Sequence, residues 1–154
     1  MAKINLSRVI LGGIVAGILI DVFQAVSNGF ALDKQWAEVM AALGHSRTLS
    51  IKQTIAFDLW GLIAGILLVW LYAAIRPRLG AGPKTALCAG FVMWATTYAL
   101  GSATPVFLHL IPVDLTAIAL AAGLVEILVA AVAGAYFYKE KRSTQGVKAS
   151  SAHA

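Results

Sequence analysis

Arg8-Val-Ile-Leu-Gly-Gly-Ile-Val-Ala-Gly-Ile-Leu-Ile-Asp21-Val-Phe-Gln-Ala-Val-Ser-Asn28-Gly-Phe-Ala31 is the stretch whose reading decides the fold. It exceeds the ~20 apolar residues that a helix needs to cross a hydrocarbon core about 30 Å thick. Yet it carries a carboxylate at its centre. An acidic side chain at bilayer depth costs roughly 2.5–3.5 kcal/mol on insertion scales, so Asp21 asks for a reason. Three further segments repeat the pattern, Thr54–Ile75, Thr85–Thr104 and Thr116–Tyr138, and the last of them holds a second such acid, Glu126.

Composition agrees with this reading. Of the 154 residues 60% are hydrophobic and only 12% charged, against about 25% charged in a soluble domain. Mean hydropathy is +0.82. The expected fold class is an all-α membrane protein, a four-helix transmembrane bundle filling residues 1–139, with a basic, disordered cytoplasmic tail at 140–154. A net charge of +5 is no sign of nucleic acid, because the basic residues are placed for topology. Lys3 and Arg8 precede the first span, Arg76, Arg78 and Lys84 separate the second from the third, and Lys139, Lys141, Arg142 and Lys148 follow the fourth. Only Lys34, Arg47 and Lys52 fall on the other side. The positive-inside rule then expects both termini in the cytoplasm of a multi-pass protein of the bacterial inner membrane. Lys3 and Arg8, an apolar run and Ala25-Val26-Ser27 also admit a signal-peptide reading. The span continues through Phe30, which points to an uncleaved first helix.

Several chemistries are excluded at once. The single cysteine, Cys88, rules out an intrachain disulfide, a cysteine-ligated zinc and a redox dithiol, and is expected to pack as a small hydrophobe. His45, His109 and His153 all lie in loops or the tail, so no axial haem ligand stands inside the bundle. No cofactor, metal set or nucleophile–base pair is expected, and hence no catalytic residue. Arg76-Pro-Arg-Leu-Gly-Ala-Gly-Pro-Lys84 lacks the order of a phosphate-binding loop. It reads instead as a turn in which Pro77 stops the second helix, Gly80 and Gly82 reverse the chain and Pro83 starts the third.

Between the first two spans, Asp33–Leu43 reads as a short amphipathic helix. Asp33 is the expected N-cap, Trp36, Val39, Met40 and Leu43 make one apolar face, Lys34 and Glu38 can pair opposite it, and Gly44 supplies the terminating residue. Too short to span, it is expected in the outer interface with Trp36 at headgroup level, or as a lid over the bundle mouth. Pro105 and Pro112 bracket a second interfacial stretch, after which Asp114 is expected to cap the fourth helix.

Small residues recur at four-residue spacing, at Gly13 and Gly17, Gly61 and Gly65, and Ala130 and Gly134, a pattern that lets helix backbones approach closely. A faint internal repeat is also visible. Trp60-Gly-Leu-Ile-Ala-Gly in span two resembles Ala122-Gly-Leu-Val-Glu-Ile in span four, and Leu11-Gly-Gly in span one resembles Cys88-Ala-Gly in span three. Each hairpin would then be one copy of a two-helix unit, related by an axis along the membrane normal.

Depth can be counted at 1.5 Å per residue. Asp21 lies about 18 Å from the inner end of span one, Glu126 about 15 Å from the outer end of span four, and Thr96, Thr97 and Tyr98 about 16–20 Å from the inner end of span three. These five share a layer near the midplane. Gln24, Asn28 and Asp58 continue the polarity outward, so Asp21, Gln24, Asn28, Asp58, Thr96, Thr97, Tyr98 and Glu126 are the candidate ligand- or proton-binding residues. With no cation at that depth, desolvation and mutual repulsion favour a retained proton, shared between Asp21 and Glu126. Two readings stay open. One is an interaction or architectural bundle without catalytic activity, whose partners are the lipid bilayer and a second copy or another membrane protein. The other is a small transporter coupled to protons or cations through Asp21 and Glu126.

Four spans with an acid in the first are features similar to the small multidrug resistance transporters. That family is shorter and lacks the Asp33–Leu43 helix, and its dual-topology members carry a weaker charge bias. Asn28-Gly followed by Trp36 and Leu43-Gly44, together with the Arg76-Pro-Arg…Gly-Pro-Lys84 turn, resembles the small four-span membrane proteins of unknown function common in bacterial genomes. That resemblance implies a location and a shape, and no reaction.

Overall fold

In the computed structural model, residues 4–138 are described. The tail expected at 140–154, and with it Lys139, Lys141, Arg142, Lys148 and His153, lies outside them, as does Lys3. The described chain is helical throughout. Helix α1 (Leu6–Val26) runs into a π-helical turn, Ser27–Ala31, and is followed by α2 (Asp33–Ala42) and α3 (Ile51–Leu79). Helix α4 (Pro83–Trp94) passes through a second π-helical turn, Ala95–Ala99, into α5 (Leu100–Phe107), and α6 (Val113–Phe137) completes the fold. Four of these units are long and apolar enough to cross a membrane, Leu6–Ala31, Ile51–Leu79, Pro83–Phe107 and Val113–Phe137. Their outward faces bear Ile10, Ile14, Ile18, Phe57, Ile63 and Phe91, all exposed. Apolar surface spread over every helix is what a bilayer, not water, accommodates.

The spans pack as a four-membered ring. The first lies between the second and the fourth, the third between the fourth and the second, and the second also meets the fourth across the middle. Lipid tails are as apolar as leucine, so such packing rests on close van der Waals approach, not on hydrophobic exclusion. The sequence supplies the means. A Cβ on Gly13 would fall 2.5 Å from the Ile66 Cα, one on Gly17 2.7 Å from the Leu62 Cα, and one on Gly65 would collide with the Gly13 and Gly17 backbone. The two glycine pairs therefore interlock, backbone against backbone. Gly134 plays the same part for the fourth span, against Ala16 and Val69. Around this seam lie the buried Val9, Leu68, Tyr72, Ile127 and Ala130.

The hairpins repeat one another in register. The offset that pairs Leu11 with Cys88 also pairs Gly13 with Gly90 and Asp21 with Tyr98. The offset that pairs Trp60 with Ala122 pairs Ile66 with Leu128 and Gly61 with Gly123. In three dimensions Gly13 packs on Ile66 and Gly90 on Leu128, while Asp21 lies over Gly61 and Tyr98 over Gly123. Four contacts thus reduce to two, each made twice.

Several local expectations are corrected. Pro77 does not end α3; it sits inside it, forfeiting only the amide bond to the Ala73 carbonyl, and the helix stops where Gly80 takes φ 86° and its amide reaches the Arg76 carbonyl at 2.9 Å. Pro105 is likewise inside a helix, so Val106 and Phe107 are helical, and the chain then turns sharply at His109, φ 54°. Asp33 is not an N-cap, because Leu32 holds that position straight after the π-turn; Asp33 instead pairs with Arg47 at 3.1 Å. Asp114 stands in the first turn of α6 with Pro112 at the cap. Cys88 faces outward, exposed, instead of packing. The start of α3 was the opposite case. Ser50 and Gln53 form a capping box, Ser50 Oγ accepting from the Gln53 amide at 3.4 Å, and bring the helix start forward of Thr54. Gly44 ends α2 as expected, with φ 73° and its amide on the Ala41 carbonyl while His45 reaches Met40.

Candidate functional site

Each π-turn carries a candidate residue. Asn28 is in the first, and Thr96, Thr97 and Tyr98 are in the second. A π-turn inserts a residue into the i→i−4 ladder, as the bonds from Leu32 to Ser27 and from Leu100 to Ala95 show, and such insertions concentrate at functional sites because they re-aim side chains. Here they aim Asn28 and Tyr98 at the same point. Tyr98 crosses Gly123, where a Cβ would fall 2.5 Å from its ring, and donates its hydroxyl to Glu126 Oε1 at 2.6 Å. Gln24 donates its amide to the same oxygen at 3.3 Å and also to the Tyr98 hydroxyl. Both of these bonds to the carboxylate end on Oε1. Glu126 is 2% exposed, the most buried ionisable side chain among the described residues.

The network continues away from the carboxylate. Asn28 donates to Gln24 Oε1, and the Trp36 indole donates to Asn28 Oδ1 at 3.0 Å. Arg47 holds the Asn28 carbonyl at 2.9 Å and Asp33 beside it. Trp36 is itself seated by Leu32, Val39 and Leu115, which makes the apolar face of α2 its anchor. Gln24, Asn28, Trp36 and Tyr98 line a cleft of about 250 Å³, open on one side, together with Ser27, Thr97, Ser102 and the buried Glu126. A small, partly apolar cleft with a few convergent polar groups is the form that small-ligand sites take. Among the described residues no group of three His, Cys, Asp or Glu side chains is placed to hold a metal ion.

The eight candidates divide. Gln24, Asn28, Tyr98 and Glu126 come together, joined by hydrogen bonds, and Thr97 lines the same cleft. The Thr96 and Thr97 hydroxyls bond back to their own helix, Thr97 to the Met93 carbonyl at 2.7 Å and Thr96 to Val92 at 2.9 Å. Asp21 does not share a pocket with Glu126. It turns to α3, its carboxylate over Gly61, with Asp58, which is exposed, as its charged neighbour. The reason is angular. Successive residues on a helix turn by about 100°, so Asp21 and Gln24 are about 60° apart, and α1 lies between two neighbours. Asp21 therefore meets α3 where Gln24 meets α6. On a regular helix Asn28 falls between the two, about 20° from Asp21 and about 40° from Gln24, and it bonds to Gln24, one turn back.

Several participants escaped the sequence reading, Ser27 of the cleft wall among them. Trp36 is expected on an interfacial helix or a lid, and neither expectation includes the bond from its indole N–H to Asn28. Gly123 was read only as part of a repeat. Ser102 lies one turn beyond Tyr98 and offers no pattern. Trp94 adds a clamp one turn before Tyr98, its indole donating to the Leu120 carbonyl at 2.9 Å. Compared with known protein families, with curated proteins and with solved structures, the chain finds a match in none of the three.

Proposed function

We propose that this is a multi-pass membrane protein that binds a small organic cation in the Glu126 cleft, in exchange for a proton, and so serves proton-coupled uptake or export without catalytic turnover. One observation carries the reading: a carboxylate 2% exposed forms the floor of a cleft whose walls are Trp36 and Tyr98. Aromatic faces and a carboxylate are the elements that recognise an ammonium group. Nothing cationic among the described residues bonds to Glu126, so its charge has to be met by a proton or by the ligand.

Orientation follows from charge in the same reading. The end bearing Arg8, Arg76, Arg78 and Lys84 faces the cytoplasm of a bacterial inner membrane, and the end bearing Lys34, Arg47 and Lys52, with α2, faces outward. Helix α2 then lies at the outer surface as a lid whose Trp36 reaches into the cleft. Small four-span membrane proteins of unknown function would be its natural company.

A second reading is supported by the saturation of Glu126 Oε1 by Tyr98 and Gln24. In that case the acid serves only to join spans one, three and four in an architectural bundle, a role of modest energy. Proton release from purified protein, measured as a panel of small amines and quaternary ammonium ions is added, separates the two. Release in the wild type and none in Glu126→Gln is the expected result. Silence across the panel, with Glu126→Gln folding poorly, would favour the architectural role.

A further inference from the structure

The hydrogen bonds between α2 and Glu126 form a single file with a fixed direction. An indole nitrogen carries a hydrogen and has no lone pair to offer, so Trp36 can only donate. Its bond therefore places Oδ1 of Asn28 toward it and Nδ2 away, which removes the usual ambiguity of an amide's orientation. Nδ2 donates to Oε1 of Gln24, which in turn points the Gln24 nitrogen at Glu126 and Tyr98. The Tyr98 hydroxyl closes the file on the same carboxylate oxygen. Every hydrogen points toward Glu126.

Resting on the proton-exchange reading of that site, we infer that Trp36 is a positioning residue, and that the file couples the closure of α2 over the cleft to the state of the Glu126 carboxyl. The coupling follows from the inventory of donors. A carboxylate accepts from Tyr98 and Gln24 and holds the file taut. When Glu126 takes a proton on Oε2, the charge-assisted bonds that Gln24 and Tyr98 make to Oε1 weaken to neutral ones and hold the Gln24 amide less firmly; when a ligand's N–H groups claim Gln24 Oε1, they draw the amide over. If it turns over, its nitrogen faces the Asn28 nitrogen. Asn28 must then turn as well, and its nitrogen meets the indole N–H. Two donors face each other, and the bond holding Trp36 is gone. Reversal with Trp36 still in place is barred because the indole has no acceptor to offer, so a turned file requires its release. The device has two states, closed with all donors toward the carboxylate and open with Trp36 released, which is the bistability a switch requires. Asn28 stands one turn beyond Gln24, within reach of both its amide and Trp36, and Arg47 steadies the Asn28 backbone while leaving its side chain to turn.

Other charges near the two ends are few. Asp21 on α1 acts on Glu126, and Asp58 on α3 acts on Asp21. At the far end stand Asp33 and Arg47, paired with each other.

The test is a pH titration of the full chain in detergent or nanodiscs, following the four indole N–H resonances and the Glu126 side-chain carboxyl carbon by nuclear magnetic resonance. Trp36→Phe assigns the Trp36 signal by its loss and preserves an aromatic ring for packing. The Trp36 resonance is expected to titrate with the Glu126 carboxyl at one midpoint in the wild type and in Asp21→Asn. The response at the Glu126 midpoint is expected to vanish in Glu126→Gln and in Asn28→Asp, which keeps an acceptor for the indole but as a carboxylate has no hydrogen to give Gln24; a step at the introduced carboxyl's own midpoint is told apart by that carboxyl's carbon signal. Asn28→Asp is nearly the same size, so a native set of the other indole signals verifies its fold. Where that set is lost, Gln24→Glu, which cannot donate to Glu126 as a carboxylate, takes its place. A Glu126 carboxyl that titrates while Trp36 stays still overturns the coupling and leaves the proton-exchange reading intact. A Trp36 response that survives in the Asn28 and Gln24 variants overturns the file as its route. A Glu126 carboxyl that never changes state overturns both.

Discussion

Asp21 over Gly61 and Tyr98 over Gly123 are the same packing device used twice, in corresponding positions of the two hairpins. Their surroundings differ. Asp21 lies at a seam near the exposed Asp58, with no hydrogen-bonding partner supplied by the facing helix. Tyr98 is closed over a cleft and bonded to Glu126. In the first hairpin the position corresponding to Glu126 is Ala64, so the acid has no counterpart there. Two copies of one helical pair can therefore share a register and part in chemistry, because the glycine that admits the side chain does not specify which side chain is admitted. The π-turns mark the same divergence. One ends the first span and the other interrupts the third, and each serves the second hairpin's site.

The comparison breaks most completely where backbone meets backbone. Gly65→Val would drive a side chain into the Gly13–Gly17 backbone, and overpacking of this kind costs about 3 kcal/mol or more. Loss of the folded bundle in a detergent thermal melt is the expected outcome, whereas Gly123→Ala, whose nearest neighbours are side-chain atoms of the Tyr98 ring and not backbone, should keep the bundle and lose the site. Equal melts for the two variants would show that the seams are not distinct in kind.

Glu126→Gln comes next. Charge-assisted hydrogen bonds contribute roughly 1.5–3 kcal/mol, so affinity for an ammonium ligand should fall by about 10- to 100-fold by calorimetry. Asp21→Asn should leave it within about threefold, since the two acids occupy different seams. An equal loss in both would reunite them in one site.

The pH dependence has a definite sign. A proton and a cation compete for one carboxylate, so affinity should weaken on acidification, approaching tenfold per pH unit once the protonated form dominates. The dependence should flatten in Glu126→Gln and persist in Asp21→Asn. Tyr98→Phe, which removes one donor, should cost about 1 kcal/mol in binding and keep the ring over Gly123. Thr96→Val should change stability by under about 0.5 kcal/mol, because that hydroxyl only bonds back to its own helix. A large effect there would return Thr96 to the site.

Much of the bundle was legible in one dimension. Span number and approximate bounds follow from apolar length alone, and the glycine spacing announces close contact. Prolines misled at both ends of that reading. Pro77 reads as a stop and Pro105 as the border of an interfacial stretch, yet each removes one amide near a helix end, a loss the remaining turn tolerates. Of the site, Gln24, Asn28, Tyr98 and Glu126 were legible as polar groups at compatible depth, because rise per residue is nearly constant. Trp36 was not, since an indole on an amphipathic helix looks the same whether it meets lipid or a buried amide.

The chain by itself determines that there are four helices long and apolar enough to cross a membrane, where their polar residues lie along them, and which faces are small enough to touch. Depth is a sum along the helix axis and survives local irregularity. Direction around the axis does not. One inserted residue at a π-turn redirects everything beyond it, and which neighbour a side chain meets depends on where the other helices stand. Only the tertiary structure, therefore, separated Asp21 from Glu126 and joined Trp36, Asn28, Gln24 and Tyr98 to the buried carboxylate.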